Sequence, residues 1–194
     1  MVISSKVTSE PSEEPVTLTE AKVPLKVTGT SEDTYITTLI KVARLWAERY
    51  SGRSFITQTR TIKLDYFPSC NAPIVIPYGP VISLSTVGLG VSYLNDDDVT
   101  TTLTFDTDYK LDSHSEPNRI YPVDDWPTDY KTDHLQAITI TYTAGYGAAA
   151  AVPDLIKEAI KKRVMDLYEG TDHYTRQAEE LLDTVKVYWN AHQD

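Results

Sequence analysis

Hydrophobic and polar positions along the chain change their period twice, from helical to strand-like and back to helical. Between Ser31 and Gly52 the apolar residues recur every three or four positions, which predicts an amphipathic helix. Ser31 is expected to be its N-cap and Gly52 its C-terminal cap. The apolar stripe of this helix comprises Ile36, Leu39, Ile40, Ala43, Trp46, Ala47 and Tyr50. Thr17 and Glu20 have the spacing of a capping box, so we expect a shorter helix that starts there, is kinked or shortened by Pro24 and is ended by Gly29.

Short β-prone runs with a period of two follow from about residue 56 onward. In the first of them, Ile62, Leu64 and Tyr66 alternate with polar residues, so one face of this strand should be buried. The last run, residues 138–143, alternates in the same way. Turn residues separate about six such runs, which predicts a small, mostly antiparallel sheet or a partial barrel.

The helical period returns at Pro153, a residue that suits the first turn of a helix because it has no N–H to satisfy. Apolar residues then recur as far as Gly170, and residues 174–191 predict one more helix. The whole pattern predicts an α+β fold, with a helical body and an inserted β domain. The predicted boundaries are residues 1–15 for a flexible N-terminal tail, 16–55 for the N-terminal helices, 56–147 for the β domain and 148–194 for the C-terminal helices.

A hinge is predicted where the last strand gives way to the C-terminal helices. Gly145 and Gly147 permit backbone angles that residues with a Cβ resist. Tyr146 between them can anchor the joint, and the alanines at residues 148–151 allow chains to pass closely. A plain flexible linker is the alternative interpretation of this stretch.

Composition and charge narrow the class of protein. The net charge is −10, and residues 91–135 hold eleven acidic side chains against three basic ones. A basic patch of the kind that binds nucleic acid is therefore not expected. The single cysteine, Cys70, excludes an internal disulfide and fits a reducing compartment. No apolar stretch is long enough to span a membrane, and we expect neither a signal peptide nor a membrane partner.

No pattern in the sequence names a reaction, a cofactor or a metal site. The four histidines lack a second ligand at a metal-binding spacing, and no phosphate loop or nucleophile elbow is present. The aspartate clusters at residues 96–98, 106–108 and 124–125 are typical of turns. Two alternatives stay open: a calcium- or carbohydrate-binding module that uses these acidic loops, and a hydrolase that uses Asp124 and Asp125.

The basic residues of the first C-terminal helix allow two interpretations. A solvated face, or a rim of charges between subunits, would be formed by Lys157, Lys161, Lys162 and Arg163. Glu158 is placed to pair with Lys162 one turn later. The candidates for a subunit interface are Trp46, Tyr50, Lys161, Arg163, Tyr188 and Trp189.

Three groups of motifs follow one another along the chain. They are Leu18-x-Glu20-Ala21-Lys22, then Tyr50-x-Gly52-Arg53 with Ile56-Thr57-Gln58-Thr59, and finally Thr143-Ala144-Gly145-Tyr146-Gly147 followed by Val152-Pro153. In this order and spacing they resemble the tailed-phage head–tail connector family, the adaptor proteins that dock beneath the portal. The likeness covers roughly residues 16 to 170. Pro24 departs from it, since the family pattern has a smoother helix there.

This resemblance implies a structural virion protein with no enzymatic activity and no cofactor. The protein would form a homo-oligomeric ring of about a dozen copies on the portal protein. The ring would extend the dsDNA channel and provide the docking surface for the next tail-completion or stopper protein. DNA would pass through without sequence-specific binding. The implied location is the head–tail interface of the virion, assembled in the cytoplasm of an infected bacterium or encoded by a prophage.

Overall fold

The computed structural model describes residues 3–84 and 89–188, which form two compact units. The helical unit comprises Pro11–Ile56 and Tyr146–Val187. The β unit comprises Thr57–Gly145 together with the N-terminal segment. Helices and antiparallel strands occupy separate stretches of the chain, so the predicted α+β class is confirmed.

Four α-helices build the described part of the helical unit. They are α1 (Leu18–Leu25), α2 (Asp33–Ser51), α3 (Asp154–Glu169) and α4 (Thr175–Asp183). Apolar residues at helical spacing face inward from each helix and meet in one core. This core includes Ala21, Ile36, Ile40, Ala43, Ile156, Ile160, Val164, Ala178 and Leu182, all of which are buried. The apolar face that the periodicity predicts for α2 therefore packs in this core.

The first helix starts as its sequence predicts and ends earlier. Thr17 and Glu20 form the predicted capping box, and the Thr17 backbone N–H donates to the Glu20 carboxylate at 2.7 Å. The helix ends at Leu25, since Lys26 adopts left-handed backbone angles with φ of 57°. Gly29 is therefore not the residue that ends it.

The two long helices end at glycines but do not begin at the expected residues. The prediction that Ser31 caps α2 is wrong, because Glu32 occupies the N-cap position and makes no capping side-chain hydrogen bond. Pro153 lies at the N-cap of α3, one position before the first helical residue. Gly52 and Gly170 end α2 and α3 with left-handed backbone angles, φ 68° in each case.

The last helix is shorter than the sequence pattern predicts. Helix α4 ends at Asp183, and the chain continues as a turn and an extended segment as far as residue 188. The Val187 N–H donates to the Ser51 carbonyl at 2.8 Å, and the Arg53 side chain donates to the carbonyl of Val185. These bonds hold the segment beside the end of α2, so it cannot continue as a helix. The predicted residues 189–191 lie outside the described ranges.

The described strands of the β unit form two antiparallel sheets. The strands are β1 (Ile3–Ser9), β2 (Gln58–Leu64), β3 (Ile74–Val75), β4 (Val81–Ser83), β5 (Gly90–Leu94), β6 (Thr100–Thr102), β7 (Tyr109–Asp112), β8 (Arg119–Pro122) and β9 (Ile138–Ala144). The larger sheet has the order β1-β2-β9-β5-β6, and β4 also pairs with β9. The smaller sheet has the order β3-β8-β7. Strand β9 is thus the central element of the larger sheet.

Strand β9 alternates between a buried and a partly exposed face, as its sequence predicts. Ile138, Ile140 and Tyr142 are fully buried, whereas the threonines between them are half-buried on the opposite face. The paired strand β2 buries the same face as far as Leu64. Tyr66 lies beyond the end of β2 and is 44% exposed, so the prediction that it shares this buried face is wrong.

The N-terminal segment contains a strand where a flexible tail was expected. Strand β1 pairs antiparallel with β2, from Ile3 opposite Leu64 to Ser9 opposite Thr59. The sequence of β1 is mostly polar, so its hydrophobic pattern gives no strand signal. Backbone hydrogen bonding to a neighbouring strand orders it instead. The expectation of flexibility is therefore wrong for Ile3–Ser9.

We expect Ile140→Ala to lower the free energy of unfolding of the β unit by about 2–5 kcal/mol, because it leaves a cavity in the central strand. Urea denaturation followed by the aromatic fluorescence of the protein measures this change. Thr139→Ala on the opposite face is the matched control and should cost less than about 1 kcal/mol. Equal losses for the two variants would contradict the assignment of the buried face.

Candidate interaction surfaces

A buried ion-pair network fixes the middle of helix α2. Arg44 is only 1% exposed, and its Nη1 lies 3.0 Å from a carboxylate oxygen of Glu48. Its Nε donates to the Glu14 carboxylate at 2.7 Å. The second carboxylate oxygen of Glu48 accepts the backbone N–H of Phe55 at 2.9 Å. Since buried charges are tolerated only when paired and hydrogen-bonded, this network holds α2 against the segment before α1 and the segment that follows α2.

A second buried carboxylate organises the turn between α3 and α4. Asp166 is fully buried and accepts hydrogen bonds from the Tyr174 backbone N–H at 3.0 Å and the Thr175 hydroxyl at 2.7 Å. The Thr171 hydroxyl donates to it at 3.1 Å. Burial raises the pKa of the Asp166 carboxyl, but these hydrogen bonds outweigh burial, so the pKa lies below its ordinary value. The ionised carboxylate therefore caps the start of α4.

Three of the six predicted interface residues meet inside the helical unit. The rings of Trp46 and Tyr50 stack with their centroids 5.8 Å apart. The guanidinium of Arg163 lies 5.3 Å from the centroid of the Trp46 ring, at cation–π distance. The Tyr50 hydroxyl donates to Asp183 at 2.8 Å, and the Lys186 ammonium lies 4.0 Å from the Tyr50 ring centroid. These residues join α2 to α3 and to the segment around α4, and their role between subunits stays a prediction.

The other three predicted interface residues lie apart from this cluster. Lys161 pairs with Glu158 on the surface of α3, so the expected pairing of Glu158 with Lys162 is wrong. Lys162 donates instead to the Gln177 side chain at 2.8 Å. Tyr188 is 78% exposed. Trp189 lies outside the described residues.

The predicted hinge lies where the chain passes between the two units. Gly145 and Gly147 have φ of 129° and 119°, values that favour glycine. The Gly145 N–H donates to the Pro80 carbonyl in the β unit at 2.9 Å. The Tyr146 N–H donates to the Phe55 carbonyl in the helical unit at 2.9 Å, and its side chain packs against the helical core. Tyr146 thus anchors the chain in the helical unit, while motion at this point stays a prediction.

Helix α2 also carries exposed apolar residues, one of which, Tyr35, has its ring centroid 6.2 Å from that of Tyr168 of α3. Tyr35, Val42 and Leu45 are large apolar residues that are 50%, 44% and 44% exposed. At 100° per residue they share one side of the helix, opposite the buried Ile40. We call these three residues the α2 stripe. An exposed row of apolar side chains on one helix face is typical of a surface that packs against a partner.

A groove of about 330 Å³ lies between α1 and α3. Its lining includes Glu20 and Val23 of α1 with Glu158, Lys161, Lys162 and Met165 of α3. Val23 is 73% exposed within it. A hydrogen bond from the Thr17 backbone N–H lowers the pKa of Glu20, so this carboxylate is ionised at neutral pH. We call this feature the α1–α3 groove.

The sequence pattern did not indicate the stripe or the groove as surfaces. The residues of the α2 stripe are of the same types as the residues of the core. Hydrophobic periodicity in the sequence identifies only the larger apolar face of a helix. One signal was available, since Val42 and Leu45 lie on the side of α2 that its core stripe leaves free. The spacing therefore separates these residues from the core stripe, but only tertiary packing decides that they stay uncovered.

The aspartate cluster at residues 96–98 belongs to a turn. The Asn95 side chain accepts the backbone N–H groups of Asp97 at 3.1 Å and Val99 at 2.8 Å, and Asp98 pairs with Lys131. Within residues 3–84 and 89–188, no group of three or more His, Cys, Asp or Glu side chains is arranged to hold a metal ion. Every helix in these ranges is too short or too polar to cross a membrane.

Comparisons with known proteins find a match to one family model and a likeness to one fold. Residues 15–82 match the family model described as "Phage gp6-like head-tail connector protein". The resemblance to head–tail connectors that the sequence motifs predicted is thereby confirmed. No curated protein gives a significant match.

Solved structures with the same fold come from gene transfer agent particles. A chain from the neck of an empty particle, computed with C6 symmetry, has a TM-score of 0.77 at 16% identity, over 96% of this chain and 97% of that one. A chain of the native virion has a TM-score of 0.74 at 16% identity, over 96% of each chain. A chain from the native neck, computed with C12 symmetry, has a TM-score of 0.69 at 14% identity, over 95% of this chain and 97% of that one. This chain therefore has the fold of particle-neck proteins.

We expect Trp46→Ala to lower the free energy of unfolding by about 2–4 kcal/mol, because it removes the ring that stacks on Tyr50 and lies beside Arg163. Chemical denaturation measures the loss. Leu45→Ala, one residue away and exposed, is the control and should change stability by less than about 0.5 kcal/mol. Undiminished stability of the Trp46 variant, with a defect only in assembly, would place this ring in a subunit interface instead.

We expect Asp166→Asn to lower the free energy of unfolding by about 1–3 kcal/mol at neutral pH, because the amide cannot accept all of these hydrogen bonds. The folded-state pKa is lowered, so the carboxylate stabilises the fold fully above its unfolded pKa of about 3.9. This contribution is lost as the pH falls through the folded pKa. The difference between wild type and variant should therefore shrink in urea titrations as the pH falls below about 3.9, and a constant difference would refute the role of the charge. Asp172→Asn, at an exposed aspartate nearby, should show no such dependence.

Proposed function

We propose that the protein is a structural head–tail connector of a phage-like particle, which assembles as a ring and acts without catalysis. The observation that carries this proposal is the connector-family match over residues 15–82 together with the neck-protein fold over 96% of the chain. The similar chains come from particle necks computed with six- and twelve-fold symmetry. A ring of copies of this chain at the corresponding place is the proposed assembly.

The surfaces of the helical unit support an assembling role. A closed ring needs two different complementary surfaces on each copy, since each subunit contacts one neighbour on either side. The exposed α2 stripe and the α1–α3 groove are candidates for such surfaces, and both lie on the helical unit. We therefore assign subunit assembly to the helical unit.

The charge of the β unit supports a role in which DNA passes without being held. Eleven acidic residues against three basic ones between residues 91 and 135 disfavour ion pairing with phosphates. A connector of this kind would dock on the portal protein, continue the dsDNA channel and present a surface to the next tail-completion or stopper protein. The location would be the head–tail interface of the virion, with assembly in the bacterial cytoplasm.

Native mass spectrometry of the protein over a concentration series, alone and with the portal protein of the same genome, tests the proposal. We expect a closed oligomer or a stoichiometric complex with the portal, visible as a ring with a central hole in negative stain. The control variant is Asp172→Lys, at an exposed position, and we expect it to assemble like the wild type. Trp46→Ala is unsuitable for this test because it also lowers the stability of the fold. A protein that stays monomeric in both conditions and does not bind the portal would contradict the proposed function.

A further inference from the structure

The β unit contains a cleft between the loop that follows β2 and the loop that precedes β9. Its volume is about 400 Å³. The aromatic rings and prolines that line it belong to Tyr66, Phe67, Pro68, Trp126, Pro127 and Tyr130. Among the described residues, no lysine or arginine lines this cleft. We call this feature the aromatic cleft.

Internal contacts hold the aromatic cleft in shape. The backbone N–H of Trp126 donates to the Asn71 side chain at 3.2 Å, and its indole N–H donates to the Ala72 carbonyl at 3.0 Å. The Phe67 ring stacks on the Trp126 ring with their centroids 5.1 Å apart. The Tyr130 ring meets Phe67 edge-on, with a centroid distance of 5.5 Å. Because these contacts join the two loops, the cleft is formed before a ligand binds.

A smaller acidic pocket adjoins the aromatic cleft, and Pro127 lines both. Its volume is about 170 Å³, and three carboxylates line it, those of Asp108, Asp124 and Asp125. Asp125 accepts a hydrogen bond from the Asn71 amide, and Asp108 accepts the Thr104 N–H at 2.6 Å, both neutral donors. In the part of the chain that the structure describes, no lysine or arginine pairs with any of these three carboxylates. The negative charge of the acidic pocket is therefore not compensated there.

The two adjoining features select a ligand by its chemistry. Aromatic grooves bind extended proline-containing segments, because the polyproline II helix is already formed in the free segment and little entropy is lost on binding. A lysine or arginine side chain would compensate the carboxylates of the acidic pocket. The pocket has the volume of a few water molecules at about 30 Å³ each, so one long side chain fits. Nucleic acid is disfavoured, since its phosphates would meet these carboxylates.

We propose that the aromatic cleft and the acidic pocket bind an extended segment of another protein, with prolines against the rings of Tyr66 and Tyr130 and a lysine or arginine in the pocket. One continuous segment can occupy both sites because they share Pro127. The proposal rests on the proposed connector function in taking this segment from a protein that meets the connector in the particle. It assigns a partner-binding site to the β unit, whereas subunit assembly is assigned to the helical unit.

Fluorescence anisotropy with short labelled peptides tests the proposal on the wild-type protein. The probes are Arg-Pro-Leu-Pro-Pro-Leu-Pro and the same sequence reversed, so that the arginine can reach the acidic pocket in either chain direction. We expect one of them to bind saturably, with an affinity that falls as the salt concentration rises. Replacing its arginine by glutamate should abolish saturable binding. Replacing its prolines by glycine should weaken binding about tenfold, because a flexible chain loses more entropy when it is ordered.

Two matched pairs of protein variants locate the bound peptide. Tyr66→Ala removes a half-exposed ring of the aromatic cleft and should weaken binding about tenfold. Tyr121→Ala removes a ring of similar exposure outside the cleft and should leave the affinity unchanged. Asp124→Asn in the acidic pocket should weaken binding about tenfold and reduce its salt dependence. Asp133→Asn, at an exposed carboxylate outside the pocket, is its control.

The single cysteine of the chain gives an independent test without a change in the cleft. Cys70 is exposed and lines the aromatic cleft, so a bound peptide should cover it. We expect a saturating concentration of the arginine peptide to slow the reaction of Cys70 with a bulky maleimide several-fold, as followed by mass spectrometry. The control is Thr37→Cys in a Cys70→Ser background, at an exposed position of the helical unit, where the peptide should not change the rate.

Three results would overturn the proposal. They are no saturable binding of either peptide, binding that both Tyr66→Ala and Asp124→Asn leave unchanged, and an unchanged Cys70 rate at saturating peptide. Binding of a neutral glucose oligomer that displaces no peptide because none binds would assign the cleft to a sugar instead.

Native mass spectrometry of the same samples, alone and with the portal, separates failure of this proposal from failure of the connector function. Rings or portal complexes without peptide binding would remove the peptide site and leave the function standing. Peptide binding without any assembly would support the site and contradict the connector function.

Discussion

The buried ion pair between Arg44 and Glu48 is the constraint on which the arrangement of the helical unit depends. It sits on the core side of α2, and its outer partners are the Glu14 carboxylate and the Phe55 N–H. Each of these groups would be costly to bury without a partner. Helix α2 is therefore restricted to the rotation about its own axis in which all of them are paired. That rotation turns Ile36 and Ile40 inward. It also turns the α2 stripe outward, so the exposure of these apolar residues is a consequence of how the core charges are paired.

The chain passes from the helical unit to the β unit and back through short segments that are held by hydrogen bonds. The chain leaves α2 through Gly52, whose left-handed angles end the helix, and Phe55 then bonds both to Glu48 and to Tyr146 on the returning chain. Tyr146 packs in the helical core while Gly145 still belongs to the β unit. The proposed assembly surfaces and the acidic loops of residues 91–135 therefore lie in different units.

The sequence predicted those elements that are determined by residues close together in the chain. The capping box of Thr17 and Glu20, the alternation of β9 and the core stripe of α2 all depend on residues within one element, and the structure contains each of them. Strand β1 could not be predicted, because its polar residues are ordered by pairing with β2 more than fifty positions away. The candidate surfaces were missed for a related reason. Tyr35, Val42 and Leu45 have the composition of core residues, and only tertiary packing decides which apolar face of a helix stays uncovered.

A cryo-EM reconstruction of the complex between this protein and its portal protein tests the central claim most directly, namely that the chain is a ring-forming connector joined through its helical unit. The predicted result is a closed ring of copies coaxial with the portal, joined through contacts between the helical units of neighbouring copies. A ring joined through the β units would contradict the assignment of the assembly surfaces. A reconstruction of the portal without a bound ring, from a mixture at saturating concentration, would contradict the connector function itself.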